Sequence, residues 1–405
     1  MNKKGIIKSV STLFPTKWHS ATKFGINQVK ISIVMAFFCG INRICKASSF
    51  TGDGLVRAFL KLNKAVNENV ISIAIKNLGK NGARKLSQGI PSEQSFLLSK
   101  NAYWLKKSGL ISITLDADSI VKSVCGNQKG AAKSFNTKKK GAKNYHPLLV
   151  FVSEMNLLYL TWYRTSLAYT SNGIADFLMD IKTNLSETID KVFFRADNCF
   201  FSEELFDLLK SYGWNYLVEL KLKNLKKLLE SKTWEPIKGK KDIDICKAHG
   251  WSNSRTSKAI RTVREYVEVE CFGEKSTLLI YQYSCYTRSY NMDTVQLHAI
   301  YKHRSTSKTW IGQVKGRAMA GATLTNDFWA NDILWQLGVF AYNLLELMRQ
   351  KKSIIKRQEH RIFIDWYISA PAKITRRGHQ MELKLYEHHF YKADRNELDK
   401  LIEAA

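Results

Sequence analysis

The spacing of hydrophobic residues changes near residue 110. Residues 27–107 show helical spacing, with a continuous apolar run at 31–41 that predicts a buried helix and an amphipathic pattern at 55–65. From residue 111 apolar and polar positions alternate, so that Thr114, Asp116 and Asp118 share one face of a predicted strand. The chain therefore combines a helical first part with a second part that begins as a sheet.

The second part predicts a mixed sheet covered by helices. Strand patterns at 111–119, 145–153 and 157–164 are followed by a helix at 171–185, a strand at 191–197, a helix at 202–213 and a strand at 215–221. The short turn at 154–156 makes the second and third strands antiparallel, whereas each strand–helix–strand crossover implies a parallel pair. The predicted class is α/β, with the five-stranded topology of RNase H-like nucleases.

Residues 222–298 interrupt this alternation and predict a β-rich insertion. Further helices are predicted at 301–318 and 327–349, then a hairpin formed by 361–368 and 381–389, and a short tail helix at 395–405. We expect five regions: a helical region 1–107, the first part of the RNase H-like core 108–221, the insertion 222–298, the second part of the core 299–350, and a C-terminal hairpin and tail 351–405.

Composition adds a large excess of positive charge. The 405 residues include 63 Lys and Arg against 35 Asp and Glu, a formal net charge of +28, while 45% hydrophobic residues exclude a disordered or fibrous chain. Such an imbalance favours an anionic partner, nucleic acid first and an anionic membrane surface second. Basic residues scattered through 1–107 make that helical region the predicted DNA-binding part.

Signals for export, membrane insertion or zinc binding are weak. The apolar run at 31–41 is far shorter than the ~20 residues of a spanning helix. The start of the chain has no signal-peptide pattern, and the seven cysteines lack zinc-ligand spacing. We expect a cytoplasmic protein with free thiols and no membrane association.

Two carboxylates are placed to converge. Asp118 lies late on the first predicted strand and Asp197 ends the fourth, and these strands are neighbours in the proposed sheet. Oxygen ligands suit Mg²⁺, which shares them with a substrate phosphate. An aspartate at a strand end is often only a turn or cap residue. Asp116 lies on the same face as Asp118 and is the alternative candidate for the first catalytic acid.

Basic residues form two further groups. Tyr301, Arg304, Lys308 and Lys315 are spaced by +3, +4 and +7, which places them on one face of a predicted helix. The loop 129–143 is rich in lysine and includes Lys138, Lys139 and Lys140. Both groups can lie against DNA phosphates, although a solvated face or a solubilising loop is the alternative.

These motifs together resemble a known family. The runs are L-D-A-D-S at 115–119, G-N-Q-K-G-A-A-K at 126–133, Y-H-P-L at 145–148, F-R-A-D at 194–197, F-F-S at 200–202, F-W-A-N-D at 328–332 and A-Y-N-L at 341–344. In order and spacing they resemble bacterial insertion-sequence transposases of the DDE type, in the group-1 branch with the signature Tyr-x2-Arg-x3-Glu-x6-Lys. The resemblance covers about residues 25–390.

The resemblance implies an RNase H-like core with a β-rich insertion. It implies Mg²⁺-dependent cutting of double-stranded DNA at transposon ends, joining to a target, and a homo-oligomer on DNA in the nucleoid; Mn²⁺ is a possible substitute metal. Carried over by position, the catalytic acids are Asp118, with Asp116 as the alternate, and Asp197. The signature helix supplies Tyr301, Arg304 and Lys315.

One position departs from the signature. The expected Glu, four residues after Arg304, is Lys308, and no acidic residue lies between Asp293 and Asp327. An ammonium group there removes a metal ligand and repels a cation. The alternative function is therefore an impaired transposase copy that only binds DNA, in which Lys308→Glu restores cleavage.

Overall fold

Four helices form the first described part of the chain. The structure is a computed structural model that describes residues 24–105, 112–134, 136, 139–166, 173–187, 189–220, 225–239, 243–248, 260–271, 273–290, 292–317, 325–350, 359–369, 372–377, 380–386 and 396. The helices are α1 (Ile26–Phe38), α2 (Ile44–Gly52), α3 (Gly54–Leu60) and α4 (Glu68–Leu105). Non-helical backbone at Gly79, with φ +51°, kinks α4. None of the helices within the described ranges has the length and apolar character that crossing a bilayer requires.

The first part of the core alternates strands and helices. It contains β1 (Ser112–Ser119), β2 (Lys122–Ser123), β3 (Ala132–Lys133), β4 (Lys143–Tyr145), β5 (Leu148–Val152), β6 (Leu157–Trp162), α5 (Ile174–Asn184), β7 (Lys191–Ala196), α6 (Glu203–Ser211) and β8 (Asn215–Glu219). Local signals set these bounds: the Ser202 hydroxyl caps α6 by accepting from the Leu205 amide, and Gly213, with φ +68°, follows its end.

The main sheet has the order β6-β5-β1-β7-β8 in its core. Strand β1 is parallel to β7 and β7 is parallel to β8, whereas the β5–β6 hairpin is antiparallel and extends the other side of β1. This is the predicted α/β, RNase H-like mixed sheet, and that prediction is confirmed.

Residues after β8 extend the same sheet. They form α7 (Leu225–Glu230), β9 (Glu235–Pro236), β10 (Ile243–Ala248), β11 (Ile260–Cys271) and β12 (Glu274–Arg288). Strand β12 pairs antiparallel with β8, and β11, β10 and β9 follow in order, so that the described sheet has nine strands. The β-rich segment is thus hydrogen-bonded directly to the core.

The last described elements return to the core. They are α8 (Thr294–His303), α9 (Thr306–Arg317), α10 (Phe328–Arg349), α11 (His360–Phe363), β13 (Ala372–Arg377) and β14 (Gln380–Leu385). Helix α10 is buried along most of its length because it packs between the N-terminal helices and the sheet. Its Asn343 side chain bonds both the amide and the carbonyl of Leu158, at 2.9 and 2.8 Å, and so satisfies backbone groups of the edge strand β6.

Two sequence predictions are wrong in detail. The single helix expected at 301–318 is two helices, α8 and α9, separated at Arg304 and Ser305. Residues 361–368 are helical rather than a strand, because Phe363, Ile364 and Tyr367 recur at helical spacing and pack against Leu345 of α10. The hairpin is instead formed by β13 and β14. The tail helix predicted at 395–405 lies outside the described residues, apart from position 396.

Candidate active site

Three carboxylates stand in one row at the end of the parallel strands. Ala117 of β1 is level with Ala196 of β7, and Ala196 is level with Val218 of β8. The next residues along these strands are Asp118, Asp197 and Glu219. Because adjacent strands lie ~4.8 Å apart, the row spans only two strand spacings.

Asp118 and Asp197 converge on one guanidinium group. Nη2 of Arg304 lies 3.3 Å from Oδ2 of Asp118 and 3.8 Å from Oδ2 of Asp197. In each aspartate the other oxygen accepts a nearby backbone amide, at 2.8 Å from Ser119 and at 3.0 Å from Cys199. One oxygen of each carboxylate therefore faces the shared space.

Arg304 lies at the break between α8 and α9, where hydrogen bonding keeps its side chain beside the two acids. The same Nη2 donates to the carbonyl of Ala117 at 2.8 Å, and the side chain is only 6% exposed. Its buried Nε has no hydrogen-bond partner within the described ranges. The guanidinium thus offsets part of the charge of the two acids, while its Nε–H is left without an acceptor.

Asp116 belongs to a different arrangement. Both of its oxygens accept from Arg195, at 2.6 Å from Nε and 2.8 Å from Nη2, and the pair is buried. Arg195 also donates to the Ile300 carbonyl at 2.6 Å and to the Ser153 hydroxyl at 3.1 Å. This bidentate pair ties β1 and β7 to α8 and neutralises the buried Asp116 carboxylate.

Glu219 is the acid that sequence reasoning missed. Its Oε2 accepts a hydrogen bond of 3.1 Å from the hydroxyl of Tyr301, on the last turn of α8. The strand at 215–221 was predicted, and its acidic residue near the end was a usable signal. The resemblance instead implies a third acid at position 308, on the signature helix.

Burial dominates the electrostatics of the row. Burial raises the pKa of Asp118, with Arg304 lowering it, Asp197 raising it and Lys308 lowering it in turn. Burial likewise raises the pKa of Glu219; Tyr301 lowers it, Asp197 raises it, and Arg304 and Lys308 lower it. These carboxylates are therefore in a place where a cation relieves both desolvation and mutual repulsion.

The basic signature residues differ in burial. Tyr301 is half-buried, Arg304 buried, Lys308 exposed and Lys315 half-buried, and the helix that was expected to carry them is interrupted after His303. Lys308 nevertheless acts electrostatically on both Asp118 and Glu219. Its ammonium group therefore lies on the solvent side of the carboxylate row.

The lysine-rich loop is partly structured. Strands β2, β4 and β3 form a small sheet directly after β1, and Lys139 and Lys140 are exposed beside it, whereas Lys138 lies outside the described residues. The Lys129 amide donates to the Asn326 carbonyl at 3.0 Å. The basic sheet is thereby fastened to the segment that precedes α10.

The arrangement fits a divalent metal in its donor chemistry but not in its present spacing. Within the described ranges, no group of three His, Cys, Asp or Glu side chains is gathered closely enough to hold an ion. The two aspartates nevertheless share a cation, the Arg304 guanidinium, and present the hard oxygen donors that Mg²⁺ prefers. The donor set fits a divalent ion if Arg304 withdraws.

The sequence matches one family model over most of its length. A model described as "Transposase DDE domain group 1" matches residues 98–404. The chain belongs to this family of transposase DDE domains. No match is found among curated proteins.

Two solved transposase structures show distant similarity. A piggyBac transposase synaptic complex with hairpin DNA has 12% identity and a TM-score of 0.44, with 89% of this chain and 76% of that chain covered. A Mos1 transposase paired-end complex with the left transposon end also has 12% identity, with a TM-score of 0.20 and coverage of 50% and 60%. Membership of the transposase family rests on the family model.

Proposed function

We propose that this protein is the DNA transposase of an insertion sequence. It binds the ends of its element as a homo-oligomer on double-stranded DNA, within the nucleoid, cleaves the DNA with Mg²⁺ or Mn²⁺, and joins the ends to a target. The observation that carries the proposal is the convergence of Asp118 and Asp197 on Arg304 in a transposase-family chain of net charge +28.

Asp118 and Asp197 are the proposed metal ligands. When bound, a divalent ion would polarise the scissile phosphate and stabilise charge on the attacking and leaving oxygens. The aspartates present their Oδ2 atoms from two adjacent strands, while their other oxygens are fixed by backbone amides. Asp116 is assigned a structural role because Arg195 engages both of its oxygens.

Arg304 and the lysines are the proposed phosphate ligands. The Nε of Arg304 has no acceptor within the described part of the site, so it can donate to a phosphate oxygen beside the two acids. Lys139 and Lys140, together with Lys138, follow directly after β1, while Lys315 is carried by α9. Tyr301 orients Glu219 and packs on Tyr286, with ring centroids 4.7 Å apart.

The test uses a plasmid that carries the DNA flanking the gene. Wild-type protein should nick it at the element ends only with Mg²⁺ or Mn²⁺. Asp118→Asn and Asp197→Asn should bind the same DNA but lose nicking by orders of magnitude, because several kcal/mol of transition-state stabilisation depend on the ion. Metal-independent nicking, or nicking by Asp197→Asn, would refute the proposal.

A second candidate function is favoured by Lys308. Its positive charge acts on Asp118, so this protein can be a DNA-binding transposase copy without cleavage. Specific binding of the element ends with no nicking in either metal would support that candidate. The same DNA-binding surface would then protect or mask the ends.

A further inference from the structure

The carboxylate row is more complete than its missing signature acid suggests. Asp118, Asp197 and Glu219 follow residues that are level with one another in three adjacent parallel strands. Side chains at one level of parallel strands point to the same face of the sheet. Glu219 therefore reaches the same side as the two aspartates, one strand beyond Asp197.

We propose that Glu219 supplies the third carboxylate of the metal centre, in place of the acid that is absent at position 308. This inference rests on the proposed function and assigns one further ligand to the same site. It also explains how a chain with Lys308 can retain a complete set of acids.

One hydrogen bond and three nearby charges connect Glu219 to the site. Tyr301 donates to it at 3.1 Å, and Asp197, Arg304 and Lys308 all act on its charge. Arg304 and Lys308 also act on Asp118. The same two cations therefore lower the pKa of both Glu219 and Asp118.

Forming the metal centre requires two side chains to move. Arg304 has to release Asp118 and Asp197. Its Nε–H, which has no acceptor in the described part of the site, can then donate to a phosphate oxygen. Glu219 has to turn from Tyr301 toward Asp197, a change within the freedom of its side chain. Once Arg304 has moved, three neighbouring carboxylates need a cation to offset their repulsion.

Lys308 is compatible with this arrangement. It is exposed at the start of α9, on the solvent side of the row, whereas Glu219 approaches from within the sheet. Its ammonium group can pair with a DNA phosphate at the site. Glu219 would then supply the third carboxylate, and Lys308 a phosphate contact.

The test measures Mn²⁺ binding directly, by the loss of the free-ion electron paramagnetic resonance signal during titration of the full-length protein. The variants are Glu219→Gln, Asp197→Asn, Glu219→Gln combined with Lys308→Glu, and Glu230→Gln as a control at an exposed acid of α7. Glutamine keeps the acceptor for Tyr301, and thermal melting checks that each variant is folded.

Glu219→Gln should weaken Mn²⁺ binding at least about tenfold, the lower limit of what loss of a group supporting a metal site costs. Asp197→Asn should weaken it as well, Glu230→Gln should match the wild type, and Lys308→Glu should restore binding to the Glu219→Gln protein. Wild-type affinity in Glu219→Gln, with Asp197→Asn impaired, would overturn the inference and leave the proposed function standing. Failure of the folded double variant to regain binding would also overturn it. Absence of Asp197-dependent binding in the wild type would overturn both.

Discussion

At the scale of single residues, Lys308 places a positive charge beside the proposed metal site. Lys308 acts on Asp118 and Glu219 from the solvent side of the row. Its positive charge lowers the pKa of both carboxyls, as an incoming metal ion also would. A cation at this position therefore competes with a metal ion for the same negative charge.

Replacing Lys308 by glutamate should increase metal-dependent nicking. The change removes the competing ammonium and adds an oxygen ligand, so we expect a gain of at least about tenfold, equivalent to about 1.4 kcal/mol. The measurement is the single-turnover nicking rate at fixed Mg²⁺. Lys191→Glu, at the opposite end of β7, is the matched control because it makes the same charge change on an exposed residue away from the row. Equal rates in the two folded variants would show that position 308 does not limit the reaction.

The sequence was sufficient for some of these residues and not for others. Asp118 and Asp197 lie at or near the ends of two strands that are neighbours in the RNase H-like topology predicted from the order of strands and helices, so their convergence could be expected. The role of Asp116 depends on its bidentate contact with Arg195, and that of Glu219 depends on the register of β8. Pairing register and side-chain partners are set by tertiary packing, which a single sequence does not display.

At the scale of elements, the small basic sheet is fastened to the core at Gly130. This residue has φ +79°, and a Cβ there would lie 2.8 Å from Cδ2 of Phe328 and 3.2 Å from Cγ2 of Thr165. Gly141, on the same segment, has φ +76° but nothing within 4 Å. The two glycines therefore share a left-handed backbone conformation and differ in how closely their surroundings pack.

Gly130→Ala should therefore destabilise the protein more than Gly141→Ala. The left-handed backbone costs about 1–2 kcal/mol for either alanine, and only Gly130→Ala adds a clash with Phe328. Thermal melting and DNA affinity measure the effect, and we expect weaker DNA binding only in Gly130→Ala. Equal melting temperatures and affinities would mean that the basic sheet does not depend on this contact.

The buried carboxyl of Asp332, in helix α10, makes the stability of the protein depend on pH. Burial raises the pKa of Asp332 from 3.8 to about 7, although a hydrogen bond from Gln336 lowers it in part. Because the folded pKa is raised, the stabilising effect of the protonated group is fully present below pH 3.8 and is lost as pH rises through about 7.

Asp332→Asn should remove this dependence. Asparagine keeps the acceptor for Gln336 without a charge, so the variant should gain stability relative to the wild type as pH rises from 4 to 8, by a few kcal/mol at about 1.4 kcal/mol per pKa unit. Urea unfolding at several pH values measures it. Asp365→Asn, at an exposed position, is the control and should show no such trend. A constant difference between Asp332→Asn and wild type across this range would contradict the assignment.

The helical and sheet elements differed in how far they could be predicted. Long periodic segments such as α10 and the strands of the core were found, whereas 361–368 was misassigned as a strand. Its residues are mostly apolar over a short stretch, and contact with Leu345 of α10 selects the helical spacing. Short apolar segments are ambiguous until a packing partner is known.

At the scale of the whole molecule, the net charge of +28 predicts the way in which DNA is bound. If lysine and arginine neutralise phosphates, the logarithm of affinity should fall with the logarithm of salt concentration by ~0.9 per phosphate contacted. Lys139→Ala combined with Lys140→Ala should reduce that slope by about two contacts. Lys191→Ala with Lys210→Ala, on exposed positions of β7 and α6, is the matched control. A flat salt dependence would contradict DNA binding by this charge.

The carboxylate row is the proposed binding site of the catalytic metal. Anomalous diffraction from Mn²⁺-soaked crystals of the protein with end DNA tests it most directly. We predict a manganese peak about 2.0–2.2 Å from oxygens of Asp118 and Asp197, a range close to that of Mg²⁺, with Arg304 turned onto a phosphate. A metal bound elsewhere, while Arg304 still bridges the two aspartates, would contradict the account.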